Sequence, residues 1–235
     1  MTNQHAEPGN SGERPSVDQL AAELSIYTVH PRRYRRTLRF ALWLFLRAVW
    51  WEVILRRLFG DMLIRQNRNV RFKGWAHDFR NMAADMGGVM IKLGQFVSSR
   101  VDILPPEVID ELAALQDEVP TIPFELLRET LHAELGPLDQ HFSEFDPIPI
   151  AAASLGQAHR ARLLDGTRVV VKIQRPGIGS VVYTDLKALG VIARHAMRFK
   201  FISRRANVPL LLDEFSAVLW DELNYTLEAD NAEMF

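Results

Sequence analysis

The sequence of 235 residues contains no cysteine, so disulfide bonds, zinc–thiolate sites and a cysteine nucleophile are all excluded. The first residues lack the apolar core of a signal peptide and the arginine bias of a transit peptide. No uninterrupted apolar run reaches the roughly 20 residues that a membrane-spanning helix needs. Hydrophobic residues make up 48% and charged residues 24%, which is ordinary for a folded protein with a real core. The length predicts one large domain or two small ones.

Basic and acidic residues nearly balance over the whole chain, but they are distributed very unevenly. The formal net charge is −1. Residues 31–80 contain 13 Lys or Arg and 3 Asp or Glu, whereas residues 1–30 contain 1 and 4, and residues 81–235 contain 14 and 22. A basic block of this kind indicates an anionic partner, either lipid headgroups or nucleic acid.

The most apolar stretch, Phe40–Phe59, follows directly on a cluster of arginines and holds three of the five tryptophans. Arg47 and Glu52 interrupt it, and each central charge costs a spanning helix roughly 2.5–3.5 kcal/mol. We therefore reject a transmembrane helix and predict that residues 31–59 lie in the interface of an anionic membrane. The alternative is a buried helix with basic ends. Nucleic acid is not a predicted partner, because the apolar content far exceeds what phosphate binding needs.

Apolar residues at helical spacing predict one helix from Phe79 to Val101, with Lys92, Gln95 and Ser99 on its polar face. The prolines at 105 and 106 end this helix and begin another. A turn at residues 120–123 precedes a helix over residues 124–135, which ends at a Gly-Pro pair.

The C-terminal part is predicted to be helical from residue 177 to about residue 201. A last helix begins near Asn207, with a proline in its first turn, and runs to the end of the chain. On it Asn224 and Glu228 share a face, while Glu222 lies about 120° around the helix.

Two strands and a tight turn are predicted within residues 150–176. The strands are Gln157–Leu163 and Val169–Ile173, joined by an Asp-Gly turn. In front of them lies a loop of small residues, which lets backbone N–H groups approach a bulky anion. Lys172 on the second strand aims a positive charge at the same place, as in the phosphate-binding half of a protein-kinase small lobe. The alternative is an ordinary alanine run beside a solvated lysine.

Several motifs occur together in a recognisable order. Lys92-Leu93-Gly94-Gln95 is similar to a KxGQ helix motif, Glu222-Leu223-Asn224 to an ExD motif, and Glu228 to the glutamate that pairs with the strand lysine, Lys172. Seven residues are similar to an alanine-rich nucleotide loop: Ala151, Ala152, Ala153, Ser154, Leu155, Gly156 and Gln157. In this order the motifs resemble the UbiB/AarF/ADCK family of protein-kinase-like proteins, over roughly residues 31–235.

The resemblance implies a nucleotide site. ATP or ADP would bind at residues 151–157 and Lys172, and Lys172 and Glu228 would form the catalytic ion pair. Four residues would regulate the site, with the KxGQ helix folded over the nucleotide pocket: Lys92, Gln95, Glu222 and Asn224. No metal ligand is expected in this chain, and Mg²⁺ is expected only with the C-terminal lobe of the family.

Two departures from the family pattern limit the expected activity. Asn224 stands where the ExD motif has aspartate, and the chain reaches Phe235 before any catalytic-loop aspartate or DFG-type motif. We expect a catalytically incomplete, truncated or split member. The complete protein would be a peripheral ATP-dependent enzyme on the cytoplasmic face of a membrane, acting with proteins of ubiquinone or other isoprenoid-lipid biosynthesis. The alternatives are a non-catalytic lipid- or partner-binding scaffold and a homodimer formed through the tryptophan-rich helix.

The predicted fold is α+β, with a helical N-terminal extension followed by an incomplete protein-kinase-like small lobe. Residues 1–30 are expected to be a mostly disordered tail, 31–78 the membrane-interface helices, 79–137 the KxGQ helical extension, and 138–235 the small lobe. The isolated chain is expected to be marginally stable, because a hairpin needs further strands to cover its edges.

Overall fold

A computed structural model of the chain describes residues 17–59, 68–101, 104–116, 119–204 and 206–225. The fold combines helices with one three-stranded antiparallel sheet. The predicted α+β class is confirmed.

Helices make up the N-terminal half. Helix α1 spans Val17–Glu23, and a 3₁₀ turn extends it to Ile26. Helix α2 spans Pro31–Val49 and continues through a π-helical segment, Trp50–Leu55, into α3, Arg56–Phe59. The next helices are α4, Arg68–Met86; α5, Val89–Ser98; α6, Pro106–Ala113; and α7, Phe124–Leu135. The predicted helix over residues 124–135 is confirmed.

Residues 17–30 belong to the folded part of the molecule, so the predicted disordered tail is too long. Leu20 on α1 is fully buried and packs in one core with Val182 and Phe215. The prediction failed because it rested on composition. Leu20 and Leu24 stand four residues apart and form a short apolar face that polar neighbours conceal.

The single helix predicted from Phe79 to Val101 is in fact two helices, α4 and α5. Gly87 and Gly88 separate them with φ angles of 63° and 57°, a left-handed backbone that ends a right-handed helix. Arg33 of α2 holds this turn by donating hydrogen bonds to the carbonyl oxygens of Met86, at 2.6 Å, and Gly87, at 3.1 Å. The apolar periodicity continues across the break, so it predicts one helix.

The sheet has the order β1-β2-β3, with β1 at Phe142–Ala152, β2 at Gly156–Leu163 and β3 at Arg168–Gln174. The predicted β2–β3 hairpin is confirmed. In its turn the Asp165 carboxylate accepts a hydrogen bond from the backbone N–H of Thr167, which lowers the pKa of Asp165. Strand β1 was not predicted, because it contains two prolines, which are uncommon inside strands. In the structure three register irregularities interrupt its pairing with β2.

The C-terminal helices are α8, Ile178–Ala196; α9, Lys200–Ser203; and α10, Val208–Leu223. The side chain of Asn207 caps α10 by accepting a hydrogen bond from the backbone N–H of Leu210, as its position predicts. Helix α10 ends earlier than expected, since Asn224 leaves the helix with φ −92° and ψ 83°. Glu228, which was predicted to share a helix face with Asn224, lies outside the described residues.

Helix α5 is the most buried element and lies between two hydrophobic cores. Val89 packs with α8 and α10, whereas Met90 and Ile91 pack with α4 and α6. A third core places Leu127 and Leu131 of α7 against Ile173 on one face of the sheet. The KxGQ motif thus sits on the helix that joins the N-terminal helices to the C-terminal part of the chain.

Candidate functional site

Lys172 lies on the exposed face of the sheet beside residues with little or no side chain. It pairs with Ala158 on β2, which in turn pairs with Ala151 on β1. Paired residues of antiparallel strands point to the same face, so Ala158 lies directly beside the lysine and Ala151 lies one strand further along the same face. Gly156, two residues before Ala158, belongs to the same face. We refer to Ala151, Gly156, Ala158 and Lys172 as the lysine shelf, a surface low enough for a flat group to approach the backbone.

Tyr225, the second residue after α10, packs onto the lysine shelf. The Lys172 ammonium lies 4.6 Å from the centroid of the Tyr225 ring, a cation–π contact. A Cβ atom at Gly156 would lie 2.5 Å from both the Tyr225 hydroxyl and the Ile173 carbonyl oxygen, so only glycine permits this packing. The Gln174 side chain donates a hydrogen bond of 2.7 Å to the Leu223 carbonyl oxygen. Tyr225 therefore covers part of the shelf.

A cavity of about 640 Å³ opens beside Lys172. Its walls come from α7, β3, the start of α8 and the end of α10, with Tyr27 contributing from the N-terminal segment. Lys172, Gln174 and Asn224 are among its polar lining residues. The volume lies in the range of about 300–1,000 Å³ that small-molecule sites occupy.

The alanine loop is a packed turn rather than an open flap. Ala151 and Ala152 are the last residues of β1, and the Ala153 N–H already donates a hydrogen bond of 2.8 Å to the Gly156 carbonyl oxygen. Ser154 and Leu155 are 4% and 2% exposed, and Leu155 belongs to the core formed with α5, α8 and α10. None of the described loop residues lines the cavity beside Lys172.

Gln157, predicted to bind nucleotide, lies on the opposite, covered face of the sheet and is 2% exposed. Its amide accepts a hydrogen bond from the Ile122 N–H, at 2.9 Å, and donates one to the Ile122 carbonyl oxygen, at 3.0 Å. It also donates to His159 Nε2, whose ring donates from Nδ1 to the Asp146 carbonyl oxygen. These bonds attach the segment before α7 to the sheet and give Gln157 a structural role.

Arg175 supports the alanine loop, although no sequence signal pointed to it. Its guanidinium donates hydrogen bonds to the carbonyl oxygens of Ala153, at 3.3 Å, and Pro120, at 2.6 Å. Its backbone N–H donates to the Leu155 carbonyl oxygen at 2.9 Å. Burial lowers the pKa of Arg175. The loop is thereby fixed from the side of β3.

Lys92 of α5 forms an ion pair with Glu222 of α10. A second ion pair, between Arg100 and Glu214, joins the end of α5 to the middle of α10. Since Glu222 is three residues before Tyr225, the end of α10 contacts both Lys92 and Lys172. The two lysines that the sequence singled out are thus connected through residues 222–225.

Gln95 is not brought to Lys172. Its side chain donates a hydrogen bond of 3.3 Å to the Leu115 carbonyl oxygen, in the turn after α6. Neither Lys92 nor Gln95 lines the cavity beside Lys172 in the described part of the chain, so α5 does not roof that cavity. Glu228 lies outside the described residues, and its ion pair with Lys172 stays a prediction.

Residues 114–235, just over half of the chain, match the ABC1 atypical kinase-like domain family. The chain belongs to this family. The lysine shelf and α10 lie inside the matched ABC1 region, whereas α5 with Lys92 lies before it. The predicted relationship to UbiB and ADCK proteins is confirmed by the family match and by the curated relatives.

Two relatives show the extent of the similarity. The chain is 45% identical over 153 residues to the protein ACTIVITY OF BC1 COMPLEX KINASE 8, chloroplastic, of Arabidopsis thaliana, covering 64% of the chain and 20% of the relative. It is 38% identical over 189 residues to the probable protein kinase UbiB of Pseudomonas putida, covering 78% and 34%. The chain therefore spans about a third of these ABC1 relatives or less.

Among solved structures, the complex of Rv3197 with erythromycin from Mycobacterium tuberculosis is 32% identical in sequence, with a TM-score of 0.35. The match covers 61% of the chain and 36% of that protein.

Proposed function

We propose that this chain is part of a membrane-associated ABC1 protein that binds ATP over the lysine shelf. The observation that carries the proposal is that Lys172 lies on the same face of the sheet as Ala151, Gly156 and Ala158. Small residues admit a flat ring or a phosphate group close to the backbone, and the ammonium supplies one positive charge for the phosphates. The kinase names of the ABC1 relatives support the same assignment.

In this proposal Lys172 contacts the nucleotide phosphates, and the Tyr225 ring moves aside or stacks on the bound nucleotide. Arg175 acts as a positioning residue, because it holds the alanine loop through the Ala153 carbonyl oxygen. No group of three or more potential metal-ligating side chains lies together among the described residues.

The nucleotide proposal predicts that Lys172→Ala weakens binding of a fluorescent ATP analogue by at least about tenfold, since a charge-assisted hydrogen bond contributes about 1.5–3 kcal/mol. Equilibrium titration of the chain measures the affinity. Lys187→Ala is the matched control, because Lys187 makes a similar cation–π contact, 4.9 Å from the Tyr183 ring, on α8. Equal affinity of the Lys172→Ala variant and the wild type would remove Lys172 from the site.

Membrane association is proposed from the exposed side of α2 and its continuation. Residues three or four apart form one outward stripe, basic at its start and apolar afterwards: Arg32, Arg35, Arg39, Leu42, Leu46, Trp50, Ile54 and Leu58. Leu46 is 57% exposed and Trp50 is 52% exposed. No helix in the described ranges has the length and apolarity required to cross a bilayer. The stripe suits a helix that lies in the interface, with arginines at the headgroups and apolar side chains below them.

The inward side of α2 packs on the rest of the protein, as the alternative of a buried helix with basic ends predicts. Arg33 pairs with Asp185 of α8, while Arg36 and Arg47 pair with acidic residues of α4. The basic block is therefore divided between intramolecular ion pairs and the exposed stripe. Lipid binding rests on the exposed part alone.

We expect Leu46→Glu to reduce binding to vesicles of phosphatidylserine and phosphatidylcholine by roughly tenfold, because a carboxylate replaces apolar surface in the interface. Co-sedimentation measures the bound fraction. Leu210→Glu changes an equally exposed leucine on α10 and should leave binding unchanged. Added salt should weaken binding by the wild type, since the arginine contribution is screened. Binding that neither Leu46→Glu nor salt changes would contradict the proposed surface.

We also propose that the complete protein acts in ubiquinone or other isoprenoid-lipid biosynthesis at the cytoplasmic face of a membrane, on the basis of its relationship to UbiB. The Tyr225 ring over Lys172 favours a second candidate, a lipid-binding scaffold that binds no nucleotide over the lysine shelf. The two are distinguished by the experiments above. A scaffold binds vesicles through the stripe but shows no loss of ATP-analogue binding on Lys172→Ala.

A further inference from the structure

A second cavity, of about 440 Å³, lies between α2, α4, α5 and α6, next to α9. The described side chains that line it are all aliphatic or aromatic, and none of them carries a charge, a hydroxyl or an amide group. Native cores are packed closely enough that voids larger than a water molecule are few. An apolar cavity of this size suits a hydrocarbon group, because an ordered water needs two to four polar partners and the described lining side chains offer one, the Trp75 indole N–H.

Positive charge lies beside the aromatic walls of this cavity. The Arg68 guanidinium is 5.0 Å from the centroid of the Phe72 ring, and Phe72 lines the cavity. The Arg47 guanidinium is 6.0 Å from the ring of Trp75, another lining residue, and also pairs with Asp78. Arg68 is the nearer of the two to a lining ring and is therefore the candidate for contact with an anion. The chemistry of the site is an apolar interior next to guanidinium groups.

We propose that this cavity binds the hydrocarbon chain of an anionic amphiphile drawn from the membrane, with its carboxylate or phosphate near Arg68. A peptide segment is disfavoured, because among the described lining side chains the Trp75 indole N–H is the sole polar group that could pair with a peptide backbone. The source follows from α2, which contributes Leu44 to the cavity and carries the exposed stripe on its other side. One helix thus joins the proposed membrane surface to the cavity.

A ligand bound in the cavity would contact α5. Leu93 and Val97 line the cavity, and Leu93 directly follows Lys92, the residue that pairs with Glu222. The site is separate from the lysine shelf. Its test is therefore independent of whether ATP binds there.

The probe is dodecanoate, titrated into the chain by isothermal calorimetry below its micelle concentration. We expect saturable binding of one molecule. Val108→Phe, which fills the cavity from α6, should weaken binding by at least about tenfold. Ala113→Phe, the matched control at an exposed position of the same helix, should have no effect. Val97→Phe fills the cavity from α5 and serves as the second variant, and circular dichroism melts establish that each variant is folded.

Titration with dodecanol, which has the same chain length but no carboxylate, tests whether the anionic head group contributes to binding. Arg68→Gln should weaken dodecanoate binding several-fold and leave dodecanol binding unchanged. Wild-type affinity in folded Val108→Phe and Val97→Phe variants would overturn the proposal. So would loss of dodecanoate binding on Leu46→Glu without any loss on Val108→Phe, because the chain would then adsorb to the exposed stripe of α2.

Discussion

Replacing Arg33 with alanine is expected to lower the free energy of unfolding by about 3–5 kcal/mol, because it leaves a buried carboxylate without its partner. The Asp185 side chain is 0% exposed and accepts two hydrogen bonds from the Arg33 guanidinium, at 2.8 and 2.6 Å. The same guanidinium donates hydrogen bonds to the carbonyl oxygens of Met86 and Gly87, in the turn between α4 and α5. Arg33 therefore holds α2, α8 and the KxGQ helix together.

The loss of unfolding free energy caused by Arg33→Ala should depend on pH. Burial raises the pKa of Asp185, and Arg33 opposes this effect. Without Arg33 the folded-state pKa rises further above the unfolded value. A carboxyl group of this kind binds more protons in the folded state, so its contribution to stability falls as pH rises through that interval. The variant should recover part of its stability as the pH is lowered towards the ordinary Asp pKa of about 3.9, because Asp185 then becomes protonated in the folded state.

Urea unfolding at several pH values measures both effects. Arg36→Ala is the matched control on the same helix, because Arg36 pairs with an Asp85 side chain that is 70% exposed and should contribute less than about 1 kcal/mol. Combining Arg33→Met with Asp185→Leu should restore part of the loss, since neither charge is then buried alone. Equal destabilisation by Arg33→Ala and Arg36→Ala would show that the buried pair does not clamp these helices.

Features set by local chemistry could be predicted from the sequence. The β2–β3 hairpin follows from the Asp165-Gly166 turn and the β-branched residues of β3, and α7 follows from the proline before it and the glycine after it. A helix break that leaves the apolar periodicity unchanged could not be predicted from the sequence. Gly87 and Gly88 divide one apolar stripe into two helices, and this interruption depends on Arg33, some fifty residues away in the sequence.

In the candidate site too, some features follow from local sequence and others depend on residues that are distant in the chain. The position of Lys172 on a strand was predictable from its neighbours, and so was the proximity of small residues. The contact between Lys172 and Tyr225 was not, because it depends on α10 ending at Leu223, where Asn224 leaves the helical conformation. The role of Gln157 was misjudged, and that of Arg175 was not predicted at all. A strand alternates between two faces, and only the packing of α7 determines which face is covered.

The glycine of the KxGQ motif is explained by packing, and the effect of its substitution should change sign with the background. A Cβ atom at Gly94 would overlap Cδ1 of Leu115 and lie 3.2 Å from the Phe79 ring. Leu115 is 0% exposed and packs in the core with Met90, Ile91 and Leu112, so its side chain must displace buried neighbours in order to move away. Overpacking costs about 1–3 kcal/mol and exceeds the gain of up to about 1 kcal/mol in helix propensity. Gly94→Ala should therefore destabilise the protein, by about 1–2 kcal/mol.

Leu115→Ala alone should cost about 2–5 kcal/mol through the cavity that it leaves. In that background the methyl group added by Gly94→Ala fills part of the cavity, so the same substitution should stabilise the protein. Gly74→Ala is the matched control in α4, where nothing lies within 4 Å of an added Cβ, and it should stabilise both backgrounds slightly. Chemical unfolding of the four combinations gives the coupling energy. If Gly94→Ala stabilised the wild type as much as Gly74→Ala does, the motif glycine would have to be explained by ligand contact or by motion of α5 instead of close packing.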